Sequence, residues 1–250
     1  MGLVAAQTRY RALLAYDGTA YCGFQRQRQG TPTVQGELER VLMELARCPV
    51  TVTGAGRTDS GVHARGQVIS FTIEWRHDED ALQRALNANL PDDIAVRGLE
   101  ATVDTFHPRF DARWRSYAYY VYPAPVRSPL YHRYSWHVVR QLRLEPMNEA
   151  AQLLVGKRDF ATFGLPPQGD STVRELVRAE WQQERPFLVF SIEANAFLYR
   201  MVRSIVGSLV AVGSGAWSID NFAAALVAAD RNRSAAAAPP QGLFLTSVTY

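Results

Sequence analysis

Residues 50–73 read VTVTGAGRTDSGVHARGQVISFTI. Val50–Thr53 and Gln67–Ile73 have the apolar, β-branched composition of strands, and the glycine-rich segment between them is the loop that joins them. Gly54, Gly56 and Gly61 surround Arg57, Thr58 and Asp59. Glycines allow left-handed backbone and close approach of one chain segment to another. Gly54-x-Gly56 begins like a dinucleotide-binding fingerprint, but that fingerprint needs glycine where Asp59 stands and must run into a helix N-terminus. Here the loop runs into a strand, so no nucleotide-cofactor site is expected.

Working outward, Arg9–Tyr16 reads as a strand closed by the turn Asp17-Gly18. Thr33–Ala46 reads as a helix with Thr33 as N-cap and Val34, Leu38, Val41, Leu42 and Leu45 on one face. Asp78–Asn87 is a short helix stopped before Pro91, and Ile94–Leu99 a further strand. The second half has a similar order. Arg113–Tyr122 is a long aromatic strand, Ser135–Val139 a short strand and Glu145–Leu154 a helix. Leu176–Glu184 and Phe187–Glu193 form a hairpin around Arg185-Pro186, and Phe197–Val212 and Ser218–Ala228 are helices. Ala235–Pro240 is a loop and Gly242–Tyr250 a closing strand. Each half thus reads roughly β-α-β-β-α-β. The expected class is α+β, with two ferredoxin-like halves sharing a largely antiparallel sheet around a central cleft. The match is one of element order, without a residue-level repeat. The boundary is soft, near residues 100–108, giving an N-terminal half 1–105 and a C-terminal half 106–250.

With 47% apolar and 20% charged residues, the 250-residue chain is of ordinary globular composition, which excludes wholesale disorder. The net charge is only +3, yet Lys157 is the sole lysine, so the other 26 of 27 basic side chains are arginines. Arginine suits bidentate phosphate contacts and stacking on bases, although codon bias in a GC-rich genome gives the same composition. Cys22 and Cys48 show no CxxC spacing, which points away from a zinc site or a disulfide framework. The N-terminus lacks the pattern of a signal peptide, and no stretch reads as a membrane span. A cytoplasmic protein is expected.

Three constellations carry chemistry. Asp59 either caps its own turn or, with Arg57 two residues away favouring its ionised form, presents a carboxylate able to act as nucleophile or base. Phe106–His137 holds ten of the chain's 27 aromatic residues and five arginines against one acid, Asp111. Along Arg113–Tyr122, alternation places Arg113, Arg115, Tyr117 and Tyr119 on one face. That face reads as an RNA-binding surface, where bases stack and phosphates meet charge; the alternative is an aromatic core face backed by a solvated basic one. Arg203 lies beside an apolar helical stripe and either snorkels outward or pairs with a buried acid. The P-loop GxxxxGK[ST], HExxH and GxSxG patterns are absent, and the five histidines have no metal-like spacing.

At this point Gly56–Ala64, GRTDSGVHA, resembles the GRTDxGVHA signature of the tRNA pseudouridine synthase A family. Tyr16-Asp17-Gly18 with Tyr21–Gln27 is similar to that family's YDG…YxGWQ.Q, with Phe24 where tryptophan is usual. Val34-Gln35, Asn87–Pro91, Phe106–Phe110, Tyr117–Tyr119, Asn195–Arg203 and Gly242–Leu245 resemble further family motifs, in order along nearly the whole chain. The resemblance implies isomerisation of uridine to pseudouridine in the tRNA anticodon stem-loop, at positions 38, 39 and 40, in a cleft that binds RNA. It implies no cofactor, no metal and a homodimer; no membrane partner is expected, since no stretch reads as a span. It implies that Asp59 is the catalytic carboxylate and that Tyr117 packs on the target base. Arg57 fills the vacated space or holds a phosphate, Arg203 pairs with the aspartate, and Leu245 is an apolar pocket wall. A protein that binds or folds tRNA without catalysis is the alternative, and a base-excising glycosidase a third reading.

Overall fold

The computed structural model describes residues 7–28, 30–167 and 169–250. The chain is an α+β protein whose strands are mostly antiparallel. It divides into two compact units, Met1–Arg113 with Leu245–Tyr250, and Trp114–Phe244. The sequence places its boundary at 105/106; the units part at Arg113/Trp114, and the last six residues return to the first.

The first unit runs β1 (Gln7–Tyr16), α1 (Val34–Ala46), β2 (Thr53–Gly54), β3 (His63–Glu74), α2 (Glu79–Asn89) and β4 (Ile94–Ala101). β1 is central and antiparallel to both β3 and β4, with Tyr10 opposite Phe71 and Tyr16 opposite Ile94. Its alternate residues Tyr10, Ala12, Leu14 and Tyr16 are buried, as the period of a strand dictates. The helices are capped by their own sequences. Thr33 Oγ1 accepts from the Gly36 amide at 3.2 Å, and Asp78 Oδ1 from the Ala81 amide at 2.6 Å. α1 buries Val34, Leu38, Val41 and Leu42, and α2 buries Leu82 and Leu86.

The expected strand Val50–Thr53 shrinks to Thr53–Gly54, which pairs with Ser70 and Ile69 of β3. Side chains of α1 take the backbone groups that a ladder would have used: Glu39 Oε1 accepts from the Val52 amide at 3.0 Å, and Gln35 Nε2 donates to the Val52 carbonyl at 2.9 Å. β3 in turn begins at His63, four residues before the expected start, because Ala64 still pairs with Tyr16.

The second unit runs β5 (Trp114–Pro123), β6 (Trp136–Val138), α3 (Leu144–Gln152), β7 (Gly156–Asp159), β8 (Val173–Glu184), β9 (Phe187–Ala194), α4 (Met201–Gly213) and α5 (Ile219–Ala228). Its antiparallel strands lie in the order β5-β9-β8-β7, and β6 pairs with β5 in parallel. This is not the β-α-β-β-α-β order expected. β7, whose residues Gly156–Asp159 are GKRD, is polar and largely exposed, and carries no apolar alternation to mark it. α4 begins at Met201 rather than Phe197. Tyr199 is held extended by a bridge to Leu165, and Arg200 turns into the left-handed region at φ 62°. The last strand, β10 (Leu243–Thr249), closes the chain, and from Leu245 onward it belongs to the first unit, beside β3.

The expected basic and tyrosine face of β5 is not a solvated one. Tyr119 is fully buried, its hydroxyl donating to the Pro239 carbonyl at 2.7 Å. A Cβ on Gly242 would come within 2.7 Å of the Tyr119 ring. Tyr117 is buried as well, and Arg115 Nη1 donates to the Asn195 carbonyl at 2.7 Å. Alternation correctly separates two faces but does not say that both are covered. Among the described residues no helix is long and apolar enough to cross a membrane, and Cys22 and Cys48 are exposed free thiols.

Candidate active site

In the first unit, the segment between β2 and β3 carries Arg57 and Asp59 and is fastened along its length. The Ala55 amide donates to Val68 at 2.8 Å, and the wholly buried Gln67 side chain donates to the Gly56 carbonyl at 2.8 Å. Thr58 is buried, its Oγ1 2.8 Å from the Tyr16 hydroxyl, and its carbonyl accepts from the Phe24 amide at 3.1 Å. Beyond Asp59, the Val62 amide returns to the Asp59 carbonyl at 3.1 Å. The Ser60 hydroxyl and the Gly61 amide both donate to the Tyr21 carbonyl. The backbone on either side of Asp59 is therefore fixed by Tyr16, Tyr21, Phe24 and Gln67, while its side chain is only half-buried. A carboxylate on such a mount has little conformational freedom to lose when it engages a substrate.

The segment Tyr16–Phe24 is shaped to lie against this loop. Gly23 sits at φ +100°, and a Cβ there would stand 2.7 Å from the Thr58 carbonyl oxygen. Only glycine meets both conditions. Gly61, at φ +76°, makes the turn into β3. His63, the first residue of β3, is buried; its Nδ1 lies 3.0 Å from both the Gly18 amide and Asp17 Oδ1. The amide can only donate, so Nδ1 accepts from Gly18 and binds the turn of residues 17–18 to the end of the loop.

Arg57 is exposed, and its Nε donates to Gln25 Oε1 at 3.1 Å. Leu245 belongs to the same unit and is completely buried in β10. Tyr117 and Arg203 belong to the second unit. The Tyr117 ring meets Phe197 edge-on, with centroids 5.0 Å apart. Arg203 lies in the first turn of α4, half-buried. Its Nε donates to the Ala238 carbonyl at 2.8 Å, and its own carbonyl accepts from the Ala238 amide at 2.9 Å. Arg203 thereby pins the loop Ala235–Pro240, a contact that the choice between snorkelling and pairing with an acid did not include. Gln67 and Gln25 also escape a search for chemistry. The signal for Gln67 is a lone amide inside the apolar run of β3; that for Gln25 is its place in the Tyr21–Gln27 motif. Among the described residues, no group of three or more His, Cys, Asp or Glu side chains is arranged to hold a metal ion.

A family model described as tRNA pseudouridine synthase matches residues 12–111 and 150–250. The chain is 41% identical over 247 residues to a tRNA pseudouridine synthase A of Neisseria gonorrhoeae, covering 98% of this chain and 93% of that one. It is 40% identical over 246 residues to a protein of the same name from Pseudothermotoga lettingae, covering 97% and 99%. A Geobacillus protein of that name is 41% identical over 244 residues, covering 97% and 98%.

Proposed function

Since the chain belongs to the tRNA pseudouridine synthase family, whose reaction is an isomerisation, we propose that it converts uridine to pseudouridine in the anticodon stem-loop of tRNA, at positions 38, 39 and 40, with Asp59 as nucleophile. The observation that carries this reading is the mounting of Asp59: a half-buried carboxylate on a loop whose backbone is fastened on both sides. The target uridine leaves its stack at a cost of about a few kcal/mol. The Asp59 carboxylate then adds to the base at C6 or to the ribose at C1′. The N1–C1′ bond breaks, the uracil turns while still held, and C5 bonds to C1′. The proton on C5 is lost, N1 ends protonated, and the carboxylate is released. Atoms are conserved, so the reaction needs neither oxidant nor co-substrate.

Tyr117 packs on the target base, and Leu245 supplies an apolar wall. Arg57 grips a phosphate beside the target nucleotide or enters the place its base has left. Arg203 is the cation assigned to pair with Asp59. The active species is a homodimer that binds RNA and works in the cytoplasm without cofactor or metal. Site-resolved chemical mapping of pseudouridine in the host's tRNAs tests the assignment. Loss of this chain should remove pseudouridine from positions 38–40 and leave other sites unchanged. Retention of all three would refute it. Free uracil and abasic RNA after incubation with the purified protein would instead identify a glycosidase.

A further inference from the structure

In the first unit a line of side-chain hydrogen bonds runs from a buried carboxylate to the guanidinium two residues before Asp59. It starts at Glu39 of α1, which is 7% exposed. Glu39 Oε2 accepts from Arg26 Nη1 at 2.7 Å, and Oε1 accepts from the Val52 amide at 3.0 Å and from Gln35 Nε2 at 2.9 Å. The other proton of Gln35 Nε2 goes to the Val52 carbonyl. With both protons of its amide nitrogen committed, Gln35 presents only an acceptor at its other end. That oxygen receives the Arg26 amide and Gln25 Nε2, each at 2.8 Å. Gln25, its nitrogen so engaged, turns its own oxygen to Arg57, whose Nε donates at 3.1 Å. The orientation of each amide is dictated by the one before it, back to the carboxylate.

Keeping residues 50–52 folded explains the inner end of this line but not the outer end. Gln25 is exposed, and among the described residues its side chain bonds only Gln35 and Arg57. Fixing an exposed glutamine costs rotamer entropy, and what it achieves is to hold one edge of the Arg57 guanidinium. Among the described residues the two Nη atoms of Arg57 have no hydrogen-bond partner. Their four N–H donors match the oxygens of a phosphodiester.

We propose that Gln25, backed by Gln35 and Glu39, is a positioning residue that holds Arg57 in the pose in which it receives a backbone phosphate of the tRNA substrate. This rests on the reading of Arg57 as a substrate-contacting residue. A double-mutant cycle on kcat/KM with a tRNA transcript tests it, using Gln25→Leu, Arg57→Ala and the two together, at a temperature where thermal melts show all three folded. Gln25→Leu should lower kcat/KM by about tenfold, mainly through KM. In the Arg57→Ala background the same change should have no further effect. Independent, multiplying losses would overturn the proposal. An impaired Arg57→Ala beside an unimpaired Gln25→Leu would overturn it while leaving the role of Arg57 intact. Wild-type kcat/KM in Arg57→Ala would overturn both.

Discussion

Gly23 shows how narrowly the Asp59 loop is fitted. Its backbone is left-handed, and any side chain would press on the Thr58 carbonyl, one residue from Asp59. Gly23→Ala should therefore fold with a loss of about 1–3 kcal/mol in denaturant unfolding and shift the Asp59 backbone. Displacements of that kind cost up to about a hundredfold in rate, so kcat should fall at least tenfold; an unchanged kcat would show that the loop tolerates movement. Arg203 is a second case. If it merely snorkels, lysine serves as well. If its planar fork both holds the Ala238 carbonyl and pairs with Asp59, Arg203→Lys should slow single-turnover conversion while the circular dichroism spectrum stays that of wild type.

Among the elements, α1 does more than cover the sheet. Its N-cap Thr33 bonds the Gly36 amide, and the next turns present Gln35 and Glu39, which take the backbone of Val52 out of the sheet. Thr33→Ala should cost about 1 kcal/mol of stability, measured by urea unfolding; no change would mean that tertiary packing alone fixes the helix start. α1 was legible from sequence to within a residue because cap, apolar stripe and charged face agree. β2 was not, because the groups that remove its ladder partners are side chains on a distant segment. β7 was missed because an edge strand of Gly156, Lys157, Arg158 and Asp159 has no apolar face to display. The Asp59 loop was found because its glycines and charges depart from any core pattern. The supports from Tyr16, Phe24 and Gln67 are tertiary contacts and leave no local trace. β5 was placed correctly, but its exposure was misjudged: strand period reports which residues share a face, and burial depends on what packs there.

For the whole molecule, the buried phenol of Tyr119 links stability to pH. Burial raises its pKa above the usual value near 10, the charge of Arg203 opposing this by less. The folded state thus favours the protonated form. Its contribution is complete below about pH 10 and is lost as pH rises toward the folded value. Unfolding free energy should decline above pH 10, and Tyr119→Phe should flatten that decline while losing about 1 kcal/mol at neutral pH with the bond to Pro239. A decline of equal steepness in the variant would assign the alkaline limb to other groups. The proposed catalysis rests on a single carboxylate, and a tritium label at C5 of uridine reports its work directly, because joining C5 to C1′ expels that hydrogen. With [5-³H]uridine-labelled tRNA the wild-type chain should release tritium to water, while Asp59→Asn, still folded and still binding the tRNA, should release none above background. Tritium release by Asp59→Asn at the wild-type rate would contradict the assignment of Asp59 as the nucleophile.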